Sequence, residues 1–390
     1  MEFFEDIQGH SEIKLLALEK FVIPYIRKVF YDKHNKNNGR IILFDGFAGP
    51  GEYKAGDKGS PLRCLEAAIV AYLQYKEKKS KDSNEKKMKL SLYFCEKNKD
   101  NYLLLCNKVE QRIGEPSLVK EKYKVFEKFQ KGIEVVVLNH NFSICFKRLT
   151  SKRKDDWKKD PCFSFIDPFG YKDISLNEVI EFAKIGKTDI ILNMIYEHLN
   201  RFLTVENNAL NNTHKIFLGA SDEEFKELQT KVKHLNGYER NEIITEFYKE
   251  KLIKQGLKVT KMKIKKDNKV KMILFYIGKN KEGLSLFKEI ILEIETILEK
   301  KGGNCLFIKK EELLKQSIKN FLLESYCGIV KYEKILEEIK NHEVYPESLF
   351  KKVLRELNNA NEVEIFDKNN KRTFRNLKET KIKFKRGKNE

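Results

Sequence analysis

The chain has 390 residues, with 77 Lys or Arg against 58 Asp or Glu and a formal net charge of +19. At roughly 150 residues per domain this length predicts two or three domains, and a hydrophobic fraction of 41% is ample for packed cores, which excludes disorder of the whole chain. No apolar run approaches the ~18 residues of a membrane-spanning helix. The acidic start, Met1–Asp6, lacks the regions of a signal peptide, so we expect a cytoplasmic protein.

The first half of the chain alternates helical and strand-like segments. Apolar residues at helical spacing over Ile13–Phe30, interrupted only by Pro24, predict one or two helices. The apolar run Arg40–Asp45 predicts a buried strand, and a helix follows with Ser60 as its N-cap. After a Lys-rich insertion at 76–89, further strands are predicted at Leu90–Glu96, Ile133–Leu138, Cys162–Ile166 and Asp189–Asn193. Such alternation predicts an α/β, Rossmann-like sheet that is mostly parallel.

The second half predicts an edge hairpin and a separate small domain. The runs Lys258–Lys265 and Lys269–Ile277 are joined by a short turn, which favours an antiparallel hairpin at one edge of the sheet. Later segments predict three helices followed by a hairpin, which is the order of a winged helix-turn-helix domain. These segments are Ile308–Phe321, Tyr332–Asn341, Glu347–Asn358, Glu362–Phe366 and Arg372–Arg375. We therefore predict domains at 1–302 and 303–380 and a basic tail at 381–390.

The positive charge favours a polyanion as partner, because lysine and arginine release counterions from phosphates. The predicted winged helix concentrates cations that would contact nucleic acid, either RNA or DNA: Lys351, Lys352, Arg355, Lys371, Arg372 and Arg375. A solvated helix face followed by a tail is the alternative interpretation. The seven cysteines form no C-x-x-C pair, which predicts no metal site and most of the cysteines as reduced thiols in the core.

A glycine-rich loop follows the first predicted strand. Its sequence is Asp45-Gly46-Phe47-Ala48-Gly49-Pro50-Gly51. Glu52 follows Gly51, which excludes a P-loop, and Lys54 replaces the last glycine of a dinucleotide-binding loop. An acid, an aromatic residue and A-G-x-G resemble the first loop of an S-adenosylmethionine (SAM) methyltransferase; a purely structural turn is the alternative. Glu96, at the end of the second strand, is placed to bind a ribose diol.

A second motif ends the fourth predicted strand at Asp167-Pro168-Phe169-Gly170. Amino-methyltransferases acting on adenine or cytosine have a similar [D/N]-P-P-[Y/F/W] tetrapeptide, whose acceptors bind the exocyclic amine while the aromatic ring stacks on the base. Because glycine stands in the fourth place, the stacking residue is either Phe169 or Tyr171. A turn that only closes the strand is the alternative.

Three further polar residues are candidates for the cofactor pocket. His10 and Lys14 are four residues apart on one helix face, and Asn139 follows the third strand, where adenine-recognising groups commonly lie. Exposed polar positions on the helix explain His10 and Lys14 almost as well, and a plain turn explains Asn139 equally well. A hydrolytic site is disfavoured because adjacent positions on a helix face apart, which applies to Glu197, His198 and Arg201.

Four blocks together resemble the three-Cys-motif partner family (TcmP): His10-x-x-x-Lys14, Asp45–Pro61, Phe165–Ile174 and Ile191–Leu203. The resemblance implies a class I methyltransferase domain with a winged-helix extension, and a protein partner, encoded nearby, that carries the three-Cys motif. It implies SAM contacts from the glycine loop and Glu96, with Asp167, Pro168 and Phe169 facing the target amine. The full predicted SAM-binding set is His10, Lys14, Asp45, Phe47, Ala48, Gly49, Gly51, Ser60, Glu96 and Asn139.

These observations predict an enzyme that transfers a methyl group from SAM to a base amine of nucleic acid, of the adenine-N6 type. The alternative is a non-catalytic protein that binds nucleic acid or a protein partner and retains the fold.

Overall fold

The computed structural model describes residues 9–31, 39–53, 56–78, 87–129, 131–155, 159–205, 208–266, 269–300, 308–367, 369, 371, 373 and 377–385. The chain separates into two compact units, Met1–Asn280 and Lys281–Glu390. The sequence analysis had instead placed the helix Lys281–Lys300 with the first domain. Among the helices of the described segments, none combines the length and the apolar character needed to cross a bilayer.

The first unit is an α/β structure. Its helices are α1 Gly9–Tyr31, α2 Ser60–Lys78, α3 Lys99–Ile113, α4 Phe142–Asp155, α5 Leu176–Lys184, α6 Tyr196–Phe202, α7 Asn208–Leu218, α8 Asp222–Val232 and α9 Gly237–Ile253. Its strands are β1 Arg40–Asp45, β2 Lys89–Cys95, β3 Pro116–Lys120, β4 Tyr123–Lys128, β5 Ile133–Leu138, β6 Cys162–Ile166, β7 Thr188–Met194, β8 Lys258–Lys266 and β9 Lys269–Gly278.

These strands form one mixed sheet in the order β3-β4-β5-β2-β1-β6-β7-β9-β8. The five central strands are parallel, and β9 and β8 add an antiparallel hairpin beside β7. The central strands are apolar because helices cover them, and every residue of β6 and β7 is buried. The predicted parallel sheet with an antiparallel edge hairpin is confirmed.

The opposite edge of the sheet differs from the prediction. The segment after α3 forms a second antiparallel hairpin, β3–β4, which pairs with β5. The opening segment is a single helix that continues through Pro24. Of the predicted Lys-rich insertion, residues 76–78 belong to α2, and 79–86 lie outside the described residues.

Helix α1 packs its apolar face against this sheet. The ring of Phe21 lies 4.9 Å from that of Phe163 on β6 and 6.2 Å from that of Tyr276 on β9. The first turns of α1 are thereby held near the carboxyl ends of β1, β6 and β7. In open parallel sheets this edge is where ligands bind.

The second unit contains helices and a small antiparallel sheet. Its helices are α10 Lys281–Lys300, α11 Ile308–Ser325, α12 Tyr332–Asn341 and α13 Glu347–Asn359, and its strands are β10 Gly328–Lys331, β11 Val363–Phe366 and β12 Lys381–Phe384, with a short 3-10 helix at Leu377–Glu379. One expectation is corrected here, because Lys381–Phe384 is the central strand of the sheet, paired with β10 and β11, and not part of a tail. Of the predicted strand Arg372–Arg375 only Thr373 is described; its amide donates to the Ile365 carbonyl of β11 at 3.0 Å, and the other three residues lie outside the described residues.

The predicted placement of the cysteines holds for five of them. Cys64, Cys95, Cys106, Cys145 and Cys162 are buried free thiols. Cys327 is exposed and Cys305 lies outside the described residues, which agrees with a prediction made for most, and not all, of the cysteines.

Candidate functional site

The glycine loop leaves the end of β1 and is anchored to both neighbouring strands. The Gly46 amide donates to the Phe165 carbonyl at 3.1 Å, and the Ala48 amide donates to the Cys95 carbonyl at 2.9 Å. The Phe47 ring stacks on Phe142 with a centroid distance of 5.0 Å. Backbone bonds to β6 on one side and β2 on the other fix the loop across the end of the sheet.

Two glycines of this loop have backbone conformations that side chains rarely adopt. Gly49 has φ 65° and Gly51 has φ 90°. A Cβ atom at Gly51 would also lie 3.0 Å from a methyl carbon of Leu105. The tight turn and the packing beneath it therefore require glycine at Gly51.

Asp45 lies buried beneath the loop. Its Oδ1 accepts a hydrogen bond from the Phe47 amide at 3.1 Å, and its Oδ2 is buried without a hydrogen-bond partner among the described residues. Burial raises the pKa of Asp45 from 3.8 to about 7; the Ser60 hydroxyl and the Phe47 amide oppose this effect, and the carboxylates of Asp167 and Glu96 add to it. Three carboxyl groups therefore gather at this edge of the sheet.

Glu96 supports the loop from the end of β2. Its Oε2 accepts from the Gly49 amide at 2.9 Å and its Oε1 from the Asn98 amide at 2.7 Å. Burial raises the pKa of Glu96 above its usual value. The Asn139 side-chain amide donates to the Glu96 carbonyl at 3.0 Å. Both carboxylate oxygens keep a lone pair for a further donor, such as a ribose hydroxyl.

A cavity of about 320 Å³ opens between this loop, the first turns of α1 and the ends of β6 and β7. Small-molecule sites commonly have volumes of ≈ 300–1,000 Å³, so this cavity lies at the lower end of that range. It is lined by Ser11, Lys14, Leu15, Phe47, Ala48, Gly49, Pro50, Gly51, Glu52, Tyr53, Gly59, Ser60, Asp167, Pro168, Phe169, Asn193, Ile195, Glu197 and Met272.

Asp167 is held in this cavity by two donors from other elements. The Lys14 ammonium group forms an ion pair with its Oδ2. The Asn193 side-chain amide, on β7, donates to its Oδ1 at 2.7 Å. A carboxylate has about four lone-pair sites, so two donors leave room for a further hydrogen bond from a ligand.

Asn193 is a cavity residue that the sequence analysis did not single out. It is 1% exposed, and its Oδ1 has no hydrogen-bond partner among the described residues. Because the carboxylate of Asp167 only accepts, the Asn193 NH2 group must face it and the carbonyl must point elsewhere. An amide inside the apolar run Ile190–Met194 was the available signal, since buried polar groups need partners.

The structure separates the two candidate stacking residues. Phe169 lines the cavity and is 56% exposed. Tyr171 is buried; its hydroxyl donates to the Ile195 carbonyl at 2.5 Å and its ring packs 4.1 Å from Phe217. Phe169 is therefore the aromatic residue available to a ligand.

Most of the predicted site residues meet in one place. Those that line the cavity are Lys14, Phe47, Ala48, Gly49, Gly51, Ser60, Asp167, Pro168 and Phe169. Asp45 and Glu96 lie buried behind the glycine loop, and Asn139 lies behind Glu96; none of these three lines the cavity. The side chain of His10 lies outside the described residues.

The disfavoured hydrolytic set does not converge on one point. Glu197 lines the cavity, accepts from Lys271 at 2.5 Å and contacts Arg201 at 3.7 Å, whereas the His198 ring packs against Tyr171 and His214. Within the described part of the chain, no group of three or more His, Cys, Asp or Glu side chains is arranged to hold a metal ion.

In the second unit, acidic residues pair with part of the predicted nucleic-acid surface. Lys351 contacts Glu347 at 2.6 Å and Lys352 contacts Glu311 at 3.0 Å. Arg355 and Lys371 are exposed, and Arg372 and Arg375 lie outside the described residues.

Comparison with known proteins leaves the family open. No family model matches the chain, and no curated protein matches it. Among solved structures, the chain is similar to Trm1 from Pyrococcus horikoshii in complex with S-adenosyl-L-methionine, with 11% identity, a TM-score of 0.39, and coverage of 84% of this chain and 85% of that chain. A likeness this low carries no argument about function, and the resemblance to TcmP remains a prediction.

Proposed function

We propose that the first unit is a SAM-dependent methyltransferase and that its target is an amine on a nucleic-acid base. The observation that carries the proposal is a single cavity bounded by the glycine loop on one side and by Asp167, Asn193 and Phe169 on the other. The five central parallel strands with the antiparallel hairpin β8–β9 beside β7 also form the architecture expected of a class I methyltransferase.

The charges around the cavity fit a cationic ligand. Asp45 and Glu96 lie beneath the loop and Asp167 lies in the cavity wall, and the Coulombic effect of the other two carboxylates helps to raise the pKa of Asp45. The sulfonium and ammonium groups of SAM would offset this concentration of negative charge. The Lys14 ammonium group is positioned to meet the carboxylate end of the same molecule.

When bound, SAM would supply a methyl group on a sulfonium: the amine lone pair forms a bond to the methyl carbon while the carbon–sulfur bond breaks and its electrons stay on sulfur. Asp167 would accept a hydrogen bond from the amine, orient its lone pair and take the proton that the nitrogen releases. The Asn193 side-chain amide, which donates to Asp167 Oδ1 at 2.7 Å, would hold that carboxylate in place. Phe169 would stack on the base.

Nucleic acid is the proposed substrate because the net charge is +19 and the second unit, from α11 onward, has the order helix, strand, helix, helix and two strands. We propose that this unit is the winged helix that the sequence predicts. A neighbouring three-Cys-motif protein as partner remains part of the proposal.

The test has two stages. Calorimetry with SAM and S-adenosylhomocysteine measures cofactor binding, and transfer of a tritiated methyl group to pools of RNA and DNA measures catalysis. Asp167→Ala should abolish transfer and leave SAM affinity within roughly threefold, since Asp167 faces the amine. An equal loss of affinity would place Asp167 in the cofactor pocket. SAM binding without transfer to any pool would favour the non-catalytic alternative, and no binding would refute the cofactor assignment.

A further inference from the structure

The three-stranded sheet of the second unit has one face packed on a core and one face exposed. Strand β12, in the middle, alternates exposed Lys381 and Lys383 with buried Ile382 and Phe384. This period of two is that of a strand with one solvated face. We call the surface on this side the outer sheet face; it includes Ile329, Lys331, Lys381 and Lys383.

Two lysines of the outer sheet face lie directly opposite each other. In the antiparallel register, Lys331 of β10 faces Lys381 of β12. Both are exposed, and neither forms an ion pair with any described residue. Like charges opposite each other in a sheet destabilise it. In the unbound protein this repulsion lowers stability, whereas an anion bound across both lysines would remove it.

The rest of the face is also basic and partly apolar. Lys383 has no ion pair with the described residues and lies opposite Ile329, which is 66% exposed. On the other side of β12, Glu364 of β11 lies directly opposite Lys383 and contacts Lys385 at 2.8 Å, so it offsets part of the charge there and leaves Lys331 and Lys381 as the repelling pair. An exposed apolar side chain among unpaired cations is typical of a surface that meets sugar and phosphate groups together.

The spacing of these lysines suits a regular polyanion. Alternate residues on an antiparallel strand are about 6.8 Å apart, from two rises of 3.4 Å. Lys381 and Lys383 therefore place two positive charges along one line of the face, with Lys331 opposite Lys381, and a polyanion that follows β12 would meet all three. Helix α13 is less suited to contact phosphates, because two of its three predicted phosphate contacts, Lys351 and Lys352, already pair with glutamates.

We propose that the outer sheet face, and not helix α13, binds the phosphate backbone of the nucleic acid. The inference rests on the proposed function, which supplies a nucleic acid as substrate. The sequence alone predicts no binding surface here, because its composition assigns Lys381 and Lys383 to a basic tail.

Two full-length variants that each remove three positive charges test the proposal. The sheet variant carries Lys331→Gln, Lys381→Gln and Lys383→Gln, and the helix variant carries Lys351→Gln, Lys352→Gln and Arg355→Gln. Fluorescence anisotropy measures binding to a labelled single-stranded RNA and a labelled DNA duplex between about 50 and 200 mM salt. Because each lost phosphate contact lowers the salt slope by about 0.7–0.9, the sheet variant should lose two to three units of slope and roughly 100-fold in affinity near 0.1 M salt.

The helix variant should stay within roughly threefold of the parent chain. Thermal unfolding of the sheet variant should occur at the same temperature or higher, because the repulsion between Lys331 and Lys381 is gone. If the triple variant unfolds, Lys381→Gln alone should cost roughly fivefold in affinity.

Each opposite result is decisive. Loss of binding in the helix variant with full binding in the sheet variant would overturn the inference and leave the proposed function intact. A parent chain that binds neither nucleic acid would overturn both, while SAM calorimetry would still report separately on the cofactor. Binding to phosphatidylserine vesicles that needs the outer sheet face, with nucleic-acid binding unchanged in the sheet variant, would make the face a membrane contact and overturn the inference.

Discussion

The ammonium group of Lys14 and the carboxylate of Asp167 form an ion pair that joins the first helix of the chain to the end of β6. The two side chains are only 7% and 20% exposed. Asn193 holds the second carboxylate oxygen from β7 at 2.7 Å. Donors from two separate elements therefore fix the orientation of Asp167 before any ligand enters, which is the preorganisation that an amine-orienting group needs.

Replacing Lys14 by methionine should destabilise the first unit. The substitution keeps the length of the side chain but leaves Asp167 partly buried without its counter-ion, so we expect the free energy of unfolding to fall by about 1–3 kcal/mol. Urea denaturation measures the change. The loss should be much smaller in an Asp167→Asn background, where no charge is left unpaired.

The exposed pair Lys97–Asp173, with side chains 62% and 39% exposed, is the matched control. Lys97→Met should change stability by less than about 1 kcal/mol, because solvent screens such a pair. Equal losses for Lys14→Met and Lys97→Met would show that burial does not strengthen the Lys14–Asp167 pair.

Asn193→Ala should slow methyl transfer far more than it weakens SAM binding. The substitution removes the donor that holds Asp167, and displacement of an orienting group costs on the order of 100-fold in rate. Radiometric kinetics give kcat and KM, and calorimetry gives the SAM affinity. A parallel loss of SAM affinity would instead make Asn193 part of the cofactor pocket.

Asn139→Ala is the control for that experiment. Its side-chain amide bonds to the Glu96 carbonyl and lines no part of the cavity. At saturating SAM its transfer rate should stay within roughly threefold of the parent, since distant sites act independently.

The sequence predicts the buried central strands of the sheet but misses several strands that have exposed residues. Strands β1, β2, β5, β6 and β7 are apolar because helices cover the sheet, and that pattern is visible in one dimension. Strand β3 was missed because four of its five residues are exposed and give no alternation. Strand β12 does alternate, but its lysines are indistinguishable by composition from a basic tail.

Individual site residues were easier to predict than their contacts. Glycines, acids and a proline after strand ends are local signals, and they placed Asp45, Gly49 and Asp167 correctly at one edge of the sheet. The Lys14–Asp167 pair spans 153 residues, and the Asn193–Asp167 bond depends on β6 and β7 being neighbours. Such partners follow from the packed sheet and not from spacing along the chain.

Phe169→Ala and Tyr171→Ala should have opposite consequences. Phe169 is exposed at the cavity, so its loss should leave stability within about 0.5 kcal/mol and weaken binding of the target base by about 1–3 kcal/mol, seen as a higher KM for nucleic acid. Tyr171 is buried, so its truncation should cost about 3–5 kcal/mol of unfolding free energy. If Tyr171→Phe, which preserves the packing, raised KM as much as Phe169→Ala does, Tyr171 would have to be reassigned as a base contact.

The pKa of Asp45, about 7 in the folded protein against an ordinary 3.8, predicts how stability depends on pH. Between pH 4 and 7 the folded chain holds a proton on Asp45 that the unfolded chain has released. The free energy of unfolding therefore falls as pH rises through this window and is level above it. Asp45→Asn cannot ionise, so its stability relative to the parent should increase from pH 4 to 7, by an amount on the order of 4 kcal/mol.

Denaturation of Asp45→Asn and of the parent in urea at pH 4, 5, 6, 7 and 8 measures this difference. Asp189→Asn is the control, because burial raises the pKa of Asp189 only to about 6, so its stability relative to the parent should stop changing near pH 6. The two windows overlap below pH 6, and the change between pH 6 and 7 belongs to Asp45. An Asp45→Asn chain whose advantage is the same at pH 5 and pH 8 would mean that Asp45 is already ionised at pH 5. In that case the negative charge beneath the glycine loop, on which the fit to a sulfonium depends, would be present throughout that pH range.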